Sequence, residues 1–169
     1  MIIIKGIILI TLLFSSSYIG VLIAKRYQNR VRELKEMKTA LAIFTTKIKL
    51  TYEPIPQIFE ALGNGENSNI SNIFQKASQK MKELPAGQAW LEALTMESTN
   101  FTKEDIGVLK NLSNLLGKVD LEGQIREIEL VDNFLNQQIE KAEEESKKSE
   151  KMYKTLGITA GLAMVIVLI

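Results

Sequence analysis

The 169-residue chain contains no cysteine and no histidine, and it has only three prolines and one tryptophan. The missing cysteines and histidines exclude disulfides, thiolate nucleophiles, zinc sites of the ordinary kind and imidazole general bases. The missing cysteine also excludes a lipid anchor attached through a thiol. No run of alternating β-branched residues predicts a strand, and helical periodicity dominates. We therefore expect an all-α protein that needs no cofactor and no metal.

Charge is missing from long stretches at both ends of the chain. The first 24 residues carry Lys5 as their only charged side chain, and residues 155–169 carry none. Residues 7–24 cover about 27 Å as a helix, close to the roughly 30 Å hydrocarbon core of a bilayer. The last fifteen residues cover only about 22 Å. We predict a transmembrane helix over 1–24, a short one over 155–169 and a domain over 25–154.

Each apolar end has an alternative interpretation. The first resembles a secretory signal peptide, but its apolar run continues past three serines without a convincing cleavage site. The last could be the buried helix of a soluble domain, or a short span that packs beside another helix. Small residues one helical turn apart let helix backbones approach closely in membranes. Two such pairs occur, Ser16 with Gly20 and Gly157 with Gly161, and we expect them to pack membrane helices together.

Cations flank both apolar segments on the side of the middle domain. Four follow the first segment and four precede the last: Lys25, Arg26, Arg30 and Arg32, then Lys147, Lys148, Lys151 and Lys154. The positive-inside rule places both groups, and the domain between them, in the cytoplasm. We interpret the first group as a topology signal and, second, as a site for lipid headgroups. A net charge of +1 with interspersed acids disfavours nucleic-acid binding.

The first helix is predicted to continue from the apolar segment to about Glu53, because Pro54 disfavours helical geometry in the residue before it. A stripe with heptad spacing supplies its core face: Leu34, Met37, Leu41, Phe44 and Ile48. We expect three further residues to widen this stripe: Ala40, Ile43 and Leu50.

About five helices follow, which gives a compact bundle of about six helices in which the first and last are long. Short helices are predicted over about 56–62 and 69–84, and a fourth begins at Pro85. A fifth begins at Thr102, where Asp105 three residues later indicates a capping box. Asp120 is the expected N-cap of the long last helix. Beyond Ala142 its apolar stripe ends, and we expect a solvated helical extension.

Patterns that support catalysis are few. Three acidic residues cluster on the last helix, Glu127, Glu129 and Asp132, and such clusters are most often a solvated face. Trp90 is expected to anchor the core rather than to hold a ligand. We therefore expect no enzyme activity and no small-molecule substrate.

Two stretches resemble the stage III sporulation protein AB family: "RELKEMKTALAIFTTKIKLTYEPIPQIFEAL" and "LLGKVDLEGQIREIEL". That family is similar to the helical cytoplasmic domain of the type II secretion inner-membrane platform protein. The more specific features are an Arg-Glu-Leu opening, a Tyr-x-Pro-x-Pro segment and a Leu-Gly-x-x-Asp turn. From the last two features we take six candidate partner-contact residues: Tyr52, Pro54, Pro56, Gly117, Asp120 and Gln124. Lys47 and Lys49 depart from the acidic residue expected shortly before the tyrosine.

The resemblance implies a role in endospore formation. It implies a platform or adaptor in a complex between mother cell and forespore, with its domain in the mother-cell cytoplasm. The implied partners are membrane lipids, membrane ring proteins and a secretion-type ATPase. The alternative is a membrane-tethered helical signalling or regulatory module unrelated to secretion.

Overall fold

The computed structural model describes residues 2–65, 67–114, 116–117 and 121–168. In these residues the chain is all helical and has no strand, which confirms the predicted fold class. The elements are α1 (Ile2–Thr51), α2 (Ile55–Gly63), α3 (Asn69–Lys80), α4 (Ala86–Met96), α5 (Lys103–Lys110), a short 3₁₀ helix (Asn111–Asn114) and α6 (Leu121–Leu168). None of the described helical segments combines the length and apolarity that crossing a membrane requires.

The chain divides into two compact units. The first comprises Met1–Val31 and Lys141–Ile169, so it holds the beginning of α1 and the end of α6. The second comprises Arg32–Glu140, with the rest of these two helices and all the short ones. The domain limits predicted from charge, after residues 24 and 154, stay predictions.

Caps and prolines set the helix boundaries in the second unit. Thr102 and Asp105 form the predicted capping box: the Asp105 amide donates to the Thr102 hydroxyl at 3.2 Å, and the Thr102 amide donates to the Asp105 carboxylate at 2.7 Å. Ser68 caps α3 in the same way through Ser71. Helix α3 ends at Lys80, four residues earlier than predicted, because the amides of Lys82 and Glu83 bond three residues back and tighten the chain into a turn.

Four aromatic rings form the centre of the second unit. Phe59 contacts the rings of Phe44, Phe74 and Trp90 with centroids 5.3, 5.0 and 5.8 Å apart, in edge-to-face geometry. Trp90 is fully buried, and its indole N–H donates to the Leu109 carbonyl at 2.8 Å. The buried polar tip is therefore satisfied. The prediction that Trp90 anchors the core is confirmed.

The predicted core stripe of α1 is confirmed, but its widening is wrong for Ile43 and Leu50, whereas Ala40 is half-buried. All five heptad residues of the stripe are buried, whereas Ile43 is 43% and Leu50 73% exposed. At 100° per residue, Ile43 lies a quarter turn from Phe44, and Leu50 lies on the face opposite Ile48. Both side chains therefore face away from the core.

A buried carboxylate ties α1 to the start of α3 and to the loop before α5. Glu33 is only 2% exposed. Its oxygens accept from the Asn69 amide side chain at 2.9 Å, and from the Asn100 backbone and side-chain amides at 2.6 and 2.9 Å. Three donors offset the loss of hydration that burial imposes on a carboxylate.

Candidate interaction sites

The two helices of the first unit run antiparallel and approach closely at the predicted small residues. The Ser16 hydroxyl donates to the Gly157 carbonyl at 2.9 Å. A Cβ atom on Gly20 would lie 2.5 Å from the Tyr153 carbonyl oxygen, and one on Gly157 would lie 3.0 Å from that of Ser16. Only glycine permits this approach. Gly161 is also buried.

Small residues continue along the same side of α6 towards its middle. Ala142, Ser146 and Ser149 are buried, as is Ala24 on α1. The prediction that the chain beyond Ala142 is solvated is therefore wrong for one face. Small side chains cover little surface on their own, but they let two helix backbones come together, and the serines are buried for that reason.

Polar and aromatic contacts join the two helices beyond the small residues. Arg30 is only 4% exposed, and its guanidinium donates to the Glu145 carboxylate at 2.6 Å. Gln28 donates to Glu150 at 3.0 Å. Hydrogen bonds from Lys154 and then from Gln28 lower the pKa of Glu150.

Tyr27 and Tyr153 stack beside these contacts, with ring centroids 6.0 Å apart. A hydrogen bond to Tyr27, followed by the electrostatic interaction between the two hydroxyls, raises the pKa of Tyr153. The contacts between the helices fix which residues lie side by side: residues 27–28 of α1 are level with 150–153 of α6.

The outer surface of this helix pair is apolar. Ten large apolar side chains are 42–74% exposed: Phe14, Tyr18, Ile19, Val21 and Leu22 on α1, and Met152, Leu156, Ile158, Leu162 and Ile166 on α6. Where these apolar side chains lie, the helices contact each other through small residues, Ser16, Gly20 and Gly157. A helix pair in water has the reverse distribution, with its apolar stripe inside.

The four cations that follow the N-terminal apolar segment differ in environment. Lys25 and Arg26 are exposed. Arg30 is buried against Glu145, so its charge is not available at the surface. Arg32 belongs to the second unit, where its exposed guanidinium lies 3.6 Å from Glu36 one turn along α1.

The Tyr-x-Pro-x-Pro segment forms an exposed corner between α1 and α2. Tyr52 has a φ of 52°, the one positive value among the described non-glycine residues. Its side chain is 74% exposed, beside Leu50 at 73%. Pro54 is the residue before α2 and Pro56 lies in its first turn, and both are exposed. We call Leu50, Tyr52, Pro54 and Pro56 the α1–α2 corner.

An ion pair holds the backbone of this corner. The Lys47 ammonium lies 3.0 Å from the Glu53 carboxylate, and this hydrogen bond is the main reason why the pKa of Glu53 is lowered. Lys47 departs from the family pattern, which has an acidic residue shortly before the tyrosine, and in this chain Lys47 pairs with Glu53.

The second motif lies elsewhere in the second unit. Gly117 has a φ of 77°, a left-handed value that glycine adopts readily, and a Cβ atom there would lie 3.8 Å from Ala86. Asp120 lies outside the described residues, so its capping role stays a prediction. Gln124 is in α6, of which only the backbone is described at this position. No contact of the described residues joins Gly117 to the α1–α2 corner.

Sequence reasoning missed a second exposed surface, on α6. Leu130 and Phe134, one turn apart, are 50% and 46% exposed. In the sequence, both are apolar residues that lie outside the predicted apolar stripe of α6.

Beside α6 runs a groove of about 530 Å³, lined by Lys38, Leu41, Ala42, Thr45, Ile128, Glu129, Asp132 and Asn133. Two of the three clustered acids make ion pairs with α1 here: Glu129 with Lys49 at 3.2 Å, and Asp132 with Lys38 at 3.7 Å.

Comparison with known proteins agrees with this helical architecture. The chain matches the stage III sporulation protein AB family (Spore_III_AB) over residues 5–169. It is 26% identical over 158 residues to the stage III sporulation protein AB of Bacillus subtilis (strain 168), covering 91% of this chain and 92% of that protein. A solved structure of a stage III sporulation protein AB (SpoIIIAB) has the same fold, with a TM-score of 0.64 at 22% identity, covering 70% of this chain and 96% of that one. The chain therefore belongs to the stage III sporulation protein AB family.

Proposed function

We propose that this protein is a non-catalytic platform in a sporulation-specific, secretion-system-like complex between mother cell and forespore. Its helix pair anchors it in the membrane, and its second unit faces the mother-cell cytoplasm. There it links membrane ring proteins to a cytoplasmic ATPase. Family membership supports the sporulation role, and the similarity of the family to secretion platforms supports the linking role.

The outer surface of the helix pair supports membrane anchoring. Helices that associate in lipid gain from close backbone contact and from interhelical hydrogen bonds, because lipid tails already solvate their apolar side chains. The approach at Gly20 and Gly157, the Ser16 hydrogen bond and the ten exposed apolar side chains fit that arrangement.

The proposed docking role rests on the α1–α2 corner. Positive φ costs a residue with a Cβ atom about 1 kcal/mol or more. Tyr52 gains little in return within the second unit, because three quarters of its side chain is exposed. Strain of this kind is a reason to infer a function. Tyrosine is also among the residues that contribute most to binding at protein interfaces. We infer that Tyr52 inserts into a pocket of a partner protein of the complex.

Replacing Tyr52 by glycine separates docking from stability. Glycine accepts the backbone geometry, so Tyr52→Gly should melt at or above the parent temperature. Full-length tagged parent and variant, solubilised in detergent from sporulating cells, are compared for the partners that co-purify. We expect recovery of the ATPase or of a ring protein to fall about ten-fold or more, as for a tyrosine at the centre of an interface.

Met96→Ala is the matched control, because Met96 is 61% exposed and also apolar. It should leave partner recovery unchanged. Full recovery of the partner proteins with Tyr52→Gly would show that the corner is not part of the docking surface. An equal loss with Met96→Ala would show that general surface apolarity, and not Tyr52, governs recovery.

A further inference from the structure

Positive charge is concentrated in the first unit. Met1–Val31 and Lys141–Ile169 hold nine basic and four acidic residues, whereas Arg32–Glu140 holds twelve basic and sixteen acidic ones. The side-chain charges are therefore +5 for the first unit and −4 for the second. A chain that is nearly neutral as a whole is strongly asymmetric, and such asymmetry indicates an anionic partner for the basic part.

Seven described cations of the first unit are exposed, and five of them matter here: Lys25 and Arg26 on α1, and Lys147, Lys148 and Lys151 on α6. We call them the cation belt. Across the described ranges of the chain, no ion pair joins any of the five to a carboxylate. The neighbouring cations Arg30 and Lys154 do pair, with Glu145 and Glu150. The belt charges are therefore available to an outside anion.

The belt is shallow and lies where the apolar outer surface begins. The pairs Gln28–Glu150 and Tyr27–Tyr153 place Lys25 and Arg26 level with Lys151. The belt residues of α6, from 147 to 151, occupy about 6 Å along the helix. That height is comparable with the polar headgroup layer on one side of a bilayer, roughly 5–8 Å. The stacked Tyr27 and Tyr153 lie at the same level, and tyrosine is one of the aromatic residues that are enriched at membrane interfaces.

We propose that the cation belt binds anionic phospholipid headgroups around the helix pair; this rests on the proposed membrane anchoring. Successive belt residues point in different directions, because 100° separates neighbours on a helix. Lys147, Lys148 and Lys151 thus cover a broad arc, as do Lys25 and Arg26 together. An arc suits the many small anions of a lipid ring better than the single face of one docked protein. Each cation near an anionic leaflet contributes about a five-fold preference, which salt weakens.

Spin-labelled lipids test the proposal with the full-length chain reconstituted in phosphatidylcholine vesicles. Trace phosphatidylglycerol or phosphatidylcholine carries the label, and electron paramagnetic resonance measures the fraction immobilised by the protein. We expect phosphatidylglycerol to associate about five-fold more strongly than phosphatidylcholine, and 0.5 M salt to reduce this preference. The triple variant Lys25→Gln, Arg26→Gln, Lys151→Gln should lose it. Lys82→Gln, Lys103→Gln, Lys110→Gln removes the same charge from exposed lysines of the second unit and should keep it.

The outcomes separate this proposal from the anchoring on which it rests. Equal immobilisation of both lipids by the parent chain would overturn the belt and leave the anchor intact. Immobilisation of neither lipid would overturn the anchor, and the belt with it. Loss of the preference in both triple variants would also overturn the belt, because net charge alone would then explain it.

Discussion

Single residues fix the second unit where its loops meet α1. Glu33 shows this most clearly, because its carboxylate accepts three hydrogen bonds in a nearly inaccessible position. Charged residues are seldom fully buried, so its identity in the sequence gives no sign of burial. Glu33 can be buried because Asn69 and Asn100, which are 36 and 67 residues away, donate hydrogen bonds to its carboxylate. Long-range pairing of this kind is not encoded in a local pattern.

We predict that Glu33→Gln destabilises the protein by about 2 kcal/mol. The amide removes the charge and brings an N–H₂ group to a site surrounded by donors, so buried donors lose their partner. Thermal unfolding of the detergent-solubilised chain, followed by circular dichroism, measures the effect. Glu36→Gln is the control, because Glu36 makes only a surface pair with Arg32 one turn along α1. Equal melting of the two variants would contradict the role of Glu33.

Arg30 is a second charged residue whose burial the sequence does not reveal. A cation just beyond an apolar segment is typically exposed, and Lys25 and Arg26 are. Arg30 is buried because α6 supplies Glu145 115 residues later. Its role changes from a surface charge to a contact that sets the register of two helices. The sequence contains both residues but not their pairing.

At the scale of elements, prolines, glycines and caps made most helix boundaries predictable. Helix α1 ends two residues before the predicted Glu53, α3 and α4 begin where expected, and the Thr102 cap is present. Burial was predictable where large apolar residues recur with helical spacing. It was not predictable for Ser146 and Ser149, because small polar residues are equally common on solvated faces. Only the approach of a second helix distinguishes the two cases.

We predict that Gly20→Val weakens the contact between α1 and α6. The added side chain would collide with the Tyr153 carbonyl, and overpacking of this kind typically costs about 1–3 kcal/mol. The chain has no cysteine, so a Gln28→Cys, Glu150→Cys pair reports the contact through the yield of a short bismaleimide cross-link. The yield should fall in Gly20→Val and stay at the parent level in Ala160→Val, which adds bulk at an exposed position of α6. An unchanged yield in Gly20→Val would show that the glycine is not needed for close packing.

Ion pairs between carboxylates and lysines predict the response to acid. Hydrogen bonds from lysines lower the pKa values of Glu53, Glu92 and Glu150 below 4.5. Because the folded state binds these protons more weakly than the unfolded chain, the stabilisation is complete at neutral pH. It is lost as the pH falls below about 4.5 and through the lower folded-state values.

The melting temperature should therefore fall on acidification in this window and not between pH 6 and 8. Glu92→Gln removes the pair with Lys80, whose atoms lie 2.8 Å apart, and should make the acid slope shallower. Glu83→Gln, which removes an exposed carboxylate nearby, is the control. A slope in Glu92→Gln as steep as in the parent would contradict the contribution of this pair. Its size is small, because the pair is exposed to solvent.

At the scale of the whole molecule, charge and apolarity are divided between the two units. The first unit is basic with an apolar outer surface, and the second is acidic with a packed aromatic core. This division was visible in the sequence as two uncharged ends flanked by cations. The docking surface was only partly visible: the Tyr-x-Pro-x-Pro motif was recognised, but the strain at Tyr52 and the exposure of Leu50 are properties of the folded chain.

The central claim is that the helix pair crosses the membrane with the second unit in the cytoplasm. Two single-cysteine proteins test it directly, because the natural chain has no cysteine to react. One carries Asn64→Cys in the exposed turn after α2, and the other carries a cysteine added after Ile169. Intact and permeabilised vegetative cells that express each protein are treated with a membrane-impermeant maleimide, and labelling is quantified. We predict that the added C-terminal cysteine is labelled in intact cells, while Asn64→Cys is labelled only after permeabilisation. Labelling of Asn64→Cys in intact cells, or of the C-terminal cysteine only after permeabilisation, would contradict the claim.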